Sequence, residues 1–94
     1  MCTIKLQAVM QGRTYPDAGM ELFRMLEGKL ETENKIVLDM EGVLSLPSMF
    51  LNVSIGRVIE EYGMDVLKQK ISFTHIRATE ATRLQDYVSR FERR

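Results

Sequence analysis

The sequence predicts a small α/β layer structure, ordered β-α-β-α-β-α around a mainly parallel sheet of three to four strands. Three observations carry this. Short apolar or alternating runs at 3–9, 35–40 and 70–75 have the length and pattern of strands. Stretches with apolar residues at helical spacing separate these runs and follow the last of them. Turn and cap residues mark the boundaries, and helical crossovers between successive strands make the strands parallel and each connection right-handed.

Taken in order, residues 3–9 (TIKLQAV) alternate Ile4, Leu6 and Ala8 against Thr3, Lys5 and Gln7, a strand with one wetter face. Tyr15-Pro16-Asp17 opens the first helix, because proline suits the first helical turn and breaks what precedes it. Ala18, Leu22, Met25, Leu26 and Leu30 then form one apolar stripe. Gly28 lies within that span and weakens the last turn by up to ~1 kcal/mol relative to alanine. Ile36-Val37-Leu38 is a continuous apolar run, the pattern of a strand covered on both faces.

Glu41-Gly42 turns the chain, and Pro47 keeps Leu46 extended. A second helix is expected from about Met49 to Tyr62, with Leu51, Ile55, Val58, Ile59 and Tyr62 on one face, widened by Phe50 and Val53. Gly63 is its stop, and a short helical turn over 64–68 leads to the third strand at 70–75. Thr79 is the expected N-cap of a last helix that turns Ala81, Leu84, Val88 and Phe91 inward.

Ninety-four residues suit one domain over 1–94, burying roughly 60–65% of the unfolded chain's surface. An apolar fraction of 45% and a charged fraction of 28% exclude a disordered chain. Net charge is zero but unevenly spread: residues 1–65 carry six basic and ten acidic side chains, residues 66–94 seven and three. Cys2 is the only cysteine, so an internal disulfide and a thiolate metal cluster are excluded. Lys5 interrupts the N-terminal apolar residues, and no apolar run approaches the ~20 residues of a membrane span. A cytoplasmic protein without a membrane partner is expected.

Most chemistry-bearing motifs are missing. There is no Gly-rich phosphate loop, Walker signature or dinucleotide fingerprint, so no cofactor is expected. One His and one Cys cannot supply a structural zinc site, and no metal is assigned. Ser48 follows Pro47 at a helix start beyond the carboxyl end of the second strand, where backbone N–H groups favour anions and open α/β sheets place their sites. The same place suits an ordinary N-cap. Asp39 ends that strand and is expected to cap the following loop. His75 ends the third strand, so a Ser48–His75–Asp39 relay is conceivable, but no nucleophile-elbow sequence surrounds Ser48 and no enzyme is predicted. Arg13 and Tyr15 lie in the first loop, where Arg13 either stays solvated or pairs with Asp39 or a phosphate. Arg83, Arg90 and Arg94 share a face of the last helix that could track phosphates, but few aromatics flank them, and i, i+4 pairing of Asp86 with Arg90 together with arginine's favourable place near a helix C-terminus accounts for most of this charge. Nucleic-acid binding is not the expected role.

The order of elements, the spacing Asp39-x-x-x-Val43 followed by Ser48, and the segment LDMEGVLSLPSMFLN together resemble the STAS domain of sulphate transporters and anti-sigma-factor antagonists. The closest resemblance is to the small bacterial STAS-like branch, whose function is largely unassigned. It covers residues 13–76, with Gly19 in the first helix. In phosphorylatable antagonists the corresponding serine follows an aspartate and precedes a small residue and glycine, and a histidine-kinase-like ATPase phosphorylates it to switch binding. Ser48 falls at that serine's place, whereas Pro47 replaces the aspartate and Met49-Phe50 the small residue and glycine.

The resemblance therefore implies a non-catalytic, regulatory protein-interaction module. The surface it points to comprises Ser48, Pro47, Met49, Phe50 and Asn52, supported by Asp39, Arg13 and Tyr15. The implied partner is a protein, such as an ATPase or kinase-type regulator. The alternative is a self-associating structural domain without a phospho-switch, a homodimer held by the opposed charges of its two halves and by adaptable methionines.

Overall fold

The computed structural model describes residues 2–92. In chain order the elements are β1 (Cys2–Lys5), α1 (Leu6–Met10), α2 (Tyr15–Lys29), β2 (Ile36–Asp39), α3 (Ser48–Leu51), α4 (Ile55–Tyr62), α5 (Met64–Lys70), β3 (Ile71–Thr74) and α6 (Ala78–Glu92). The three strands form one all-parallel sheet in the order β1-β2-β3, so β2 is central and neighbours in sequence are neighbours in space. The expected α/β class holds.

The register explains which face is dry. Cys2, Ile4, Ile36, Leu38, Ile71 and Phe73 share one face, because Ile4 pairs with Leu38 and Ile36 with Ile71. Ile4, Ile36, Leu38 and Ile71 join Leu22 and Leu26 of α2, Phe50 and Leu51 of α3 and Val58 of α4 in the core. The opposite face presents Thr3, Lys5, Val37, Asp39, Ser72 and Thr74, none of them buried. The run Ile36-Val37-Leu38 predicted cover on both faces; the structure covers one and leaves Val37 half-buried on the other.

Three further expectations change. The strand expected over 3–9 ends at Lys5, and Leu6 begins α1. Leu6 and Val9 are both buried and lie three apart, a helical spacing, while Gln7 and Ala8 face solvent; the alternation of Ile4, Leu6 and Ala8 was coincidental. The single helix expected over 49–62 is broken. Asn52–Ser54 separate α3 from α4, and Ser54 takes φ −126°, ψ −84°, with its hydroxyl donating to Phe50 O at 2.7 Å. A hydroxyl bonded back four residues offers the backbone an alternative to continuing the helix. Thr79 does not cap the last helix, because Ala81 N–H already bonds Arg77 O and the helix starts at Ala78. Of its expected inward residues Leu84 is buried and Ala81, Val88 and Phe91 half-buried, joined on that face by Glu80 and Tyr87. Arg94 lies outside the described residues.

Other local signals act as expected. Thr14 caps α2 through its side chain, accepting from Asp17 N–H at 3.3 Å, with Pro16 in the first turn. Gly63, at φ 97°, ends α4. Gly19 lets α2 approach the break between α3 and α4: a Cβ there would lie 2.5 Å from Val53 Cγ2 and 2.6 Å from Phe50 O.

Candidate functional site

The carboxyl end of β2 leads into a loop that is pinned from beneath. Met40 N–H bonds Thr74 O, and Val43 N–H closes a turn on Met40 O, with Gly42 at φ 82°. The side chain of Gln7 fills the space a Cβ on Gly42 would need. Beyond the turn the chain alternates: Val43 and Leu46 are buried, while Leu44 between them is 71% exposed. Leu46 N–H donates to the Glu80 carboxylate at 3.0 Å, and Glu80 is itself buried. Pro47 then holds the extended backbone that precedes α3, and its carbonyl accepts from Phe50 and Leu51.

Ser48 is the first residue of α3 and is exposed, and no side-chain bond caps this helix. The N-cap role considered from the sequence is therefore not the one Ser48 plays. Its surroundings are a cleft of about 220 Å³ shared with Leu51 and with Arg83, Asp86, Tyr87 and Arg90 of α6. Arg90 pairs with Asp86 at 2.9 Å, and Tyr87 O–H donates to the Asn52 side chain at 2.7 Å. On the other flank of the loop lies a wider groove of about 590 Å³, lined by Met10, Arg13, Tyr15, Val43, Leu44 and Ser45 among others.

Asp39 caps the loop as the sequence indicated: its Oδ1 accepts Glu41 N–H at 2.9 Å. The same oxygen bonds Nδ1 of His75 at 2.9 Å, which joins the ends of β2 and β3. The Glu41 backbone bond, then the His75 bond, hold the Asp39 carboxyl below its ordinary range, and the Asp39 bond raises His75. His75 reaches this position at φ 53°, in the left-handed region. With Glu41, the ligand atoms of this group lie within 4.8 Å of one another, so these are the residues that could hold a cation. Glu41 and His75 are largely exposed and the shared atoms already bond each other, an arrangement suited to holding a proton at the sheet edge.

The residues singled out from the sequence thus fall into separate places. Asp39 and His75 meet, but Ser48 lies in the cleft against α6, and the three form no relay among the described contacts. Arg13 donates to Val9 O at 2.8 Å instead of reaching Asp39, and shares the wide groove with Tyr15. Met49 projects beside Ser48 at 55% exposure, whereas Phe50 is 1% exposed and supports the helix start from inside the core. Asn52 is held by Tyr87.

Sequence reasoning missed Leu44 and Glu80. Leu44 alternates with Val43, but no local signal says which of the two faces water. Glu80 meets Leu46 across 34 residues of chain, a contact without any sequence signature.

Comparison with curated proteins and with solved structures returns no match. A family model described as a STAS-like domain of unknown function (DUF4325) matches residues 18–80, a span that includes β2, the pinned loop and β3, and the chain belongs to that family.

Proposed function

We propose that this is a non-catalytic, regulatory interaction module that binds a protein partner through the loop and helix start around Ser48. One observation carries the reading. Leu44 and Met49 stand 71% and 55% exposed on either side of Pro47-Ser48, while Leu46, Phe50 and Leu51 between and beside them are each 1% exposed. Apolar side chains held outward on a backbone this firmly tied suit recognition, since little order is lost on binding. Tyr15, 43% exposed across the groove, extends the same apolar rim. The family resemblance favours a histidine-kinase-like ATPase as the partner class, and Ser48 as the residue whose phosphorylation would modulate the contact. A phosphate there adds about −1.5 to −2 charges, costly within an apolar interface.

The test is affinity capture from the native cell with wild-type bait, the double variant Leu44→Glu/Met49→Glu, and Ser48→Asp. Wild type should retain a partner that the double variant loses, with both baits melting within a few degrees of each other because the two positions are exposed. Ser48→Asp should weaken the same capture. Ser48→Ala should change stability by less than about 0.5 kcal/mol, as expected for a surface position without a capping bond. Equal capture by wild type and the double variant would remove this surface as the binding site.

A further inference from the structure

The outer edge of β1 provides a second surface, independent of the Ser48 loop. Among the described residues β1 pairs with β2 on one side only. Cys2 N–H bonds Lys35 O, so in this parallel ladder Cys2 and Ile4 point their backbone groups toward β2. Thr3, between them, therefore turns its N–H and C=O away from the sheet, and Lys5 N–H does likewise. Beside this edge runs a groove of about 390 Å³ between β1 and the flank of α2. Its apolar part includes Ile4, Val9 and the half-buried Met25. Its charged groups are Lys5, Arg13 and Lys29 against the single carboxylate of Glu21, which is already bonded to Arg24.

We infer that this edge accepts an extended acidic segment of another protein as a fourth strand. Backbone groups of Thr3 and Lys5 supply the ladder, and alternate apolar side chains of the segment lie along Met25 and Val9. The carboxylates between them turn to the other face and meet Lys5, while the charge of Lys29 at the groove adds attraction at longer range. Charge selects this occupant over a second copy of the chain. Two β1 edges brought together would oppose the same cations, and Lys on a short edge strand is a usual guard against such self-pairing. A strand carrying carboxylates meets attraction at the same place.

Cys2 makes the edge directly observable, being half-buried in this groove and the only thiol in the chain. The probe is a fluorescein-labelled hexapeptide of alternating Glu and Val, with a Lys-Val hexapeptide as its counterpart. Binding is read by anisotropy and by the rate at which iodoacetamide alkylates Cys2. The Glu-Val probe should bind at least about tenfold more tightly than the Lys-Val probe, weaken in high salt, and slow alkylation of Cys2. Thr3→Pro removes an outward N–H while leaving the β1–β2 ladder intact, a change that edge strands tolerate, and should abolish binding. Should that variant fail to fold, Lys5→Gln/Lys29→Gln tests the same edge on exposed or half-exposed side chains and should erase the preference for the acidic probe. Absence of Cys2 protection by the Glu-Val probe would overturn the proposal. So would equal binding of both probes, or protection that grows with protein concentration alone and thereby assigns the edge to a second copy.

Discussion

His75 carries two opposed contributions at one position. Its left-handed backbone costs about 1 kcal/mol for a side chain bearing a Cβ, while its bond to Asp39 joins the ends of two strands. Because the folded state raises His75 above 6.5, the stability from this pair is complete below that pH and is lost as pH rises through the folded value. Because it lowers Asp39 below 3.8, the same stability is present above that pH and is lost as pH falls through the folded carboxyl value. The lead of wild type over His75→Ala in urea unfolding should therefore be greatest between these two ordinary values and shrink toward pH 8. His75→Gly, which loses the same bond but not the backbone freedom, should exceed His75→Ala by about 1 kcal/mol at every pH. A wild-type lead that stays flat from acid to alkaline conditions would remove the ion pair from this account.

At the level of elements, two glycines of α2 make opposite demands. A Cβ at Gly28 meets nothing within 4 Å, and the residue is helical, so Gly28→Ala should stabilise by roughly 0.5–1 kcal/mol. Gly19 faces Phe50 O and Val53 across the contact between α2 and the α3–α4 break, so Gly19→Ala should destabilise by about 1–3 kcal/mol through forced separation. Paired urea titrations check both signs at once. The cost at Gly28 was legible in the sequence, as were the start of α2 at Tyr15-Pro16 and the stop at Gly63, because each is set by the local backbone. The break at Asn52–Ser54 was not. Its apolar residues keep a helical spacing across the interruption, and only the bond from Ser54 to Phe50 and the approach of Gly19 show why the helix stops. Likewise Leu6 fits a strand or a helix by its neighbours in sequence, and burial alone decides. In the candidate site, the Asp39 loop cap was readable from residue type, but the partner of Arg13 and the tie from Glu80 depend on contacts between distant segments.

For the whole molecule, the sheet is parallel yet dry on one side only, whereas most parallel sheets are covered on both. Leu84 and Tyr87 of α6 join the core, and Glu80 of the same helix accepts Leu46 N–H of the loop. The loop that carries Leu44 is thus tied to an element that follows it 34 residues later in the sequence. Glu80→Ala should leave Leu46 N–H buried and unpaired, at a cost of about 1–3 kcal/mol. Amide exchange at Leu46 should quicken by more than exchange at Leu38 in the central strand. Equal acceleration at both amides would mean general loosening, with no specific link between α6 and the loop.

Sheet order has a consequence for synthesis. Strands that neighbour in sequence also neighbour in space, so a chain emerging from the ribosome can lay β2 on β1 and then β3 on β2 as each appears. The loop at 40–47 emerges in the middle of this process, but its buried anchor, Glu80, leaves the ribosome more than thirty residues later. The exposed pair Leu44 and Met49 is therefore fixed in place only after Glu80 has appeared. A nascent chain halted before α6 would present a growing sheet whose loop still lacks its buried tie, with Leu46 N–H unpaired, so the loop takes its final shape only after the sheet beneath it is laid down.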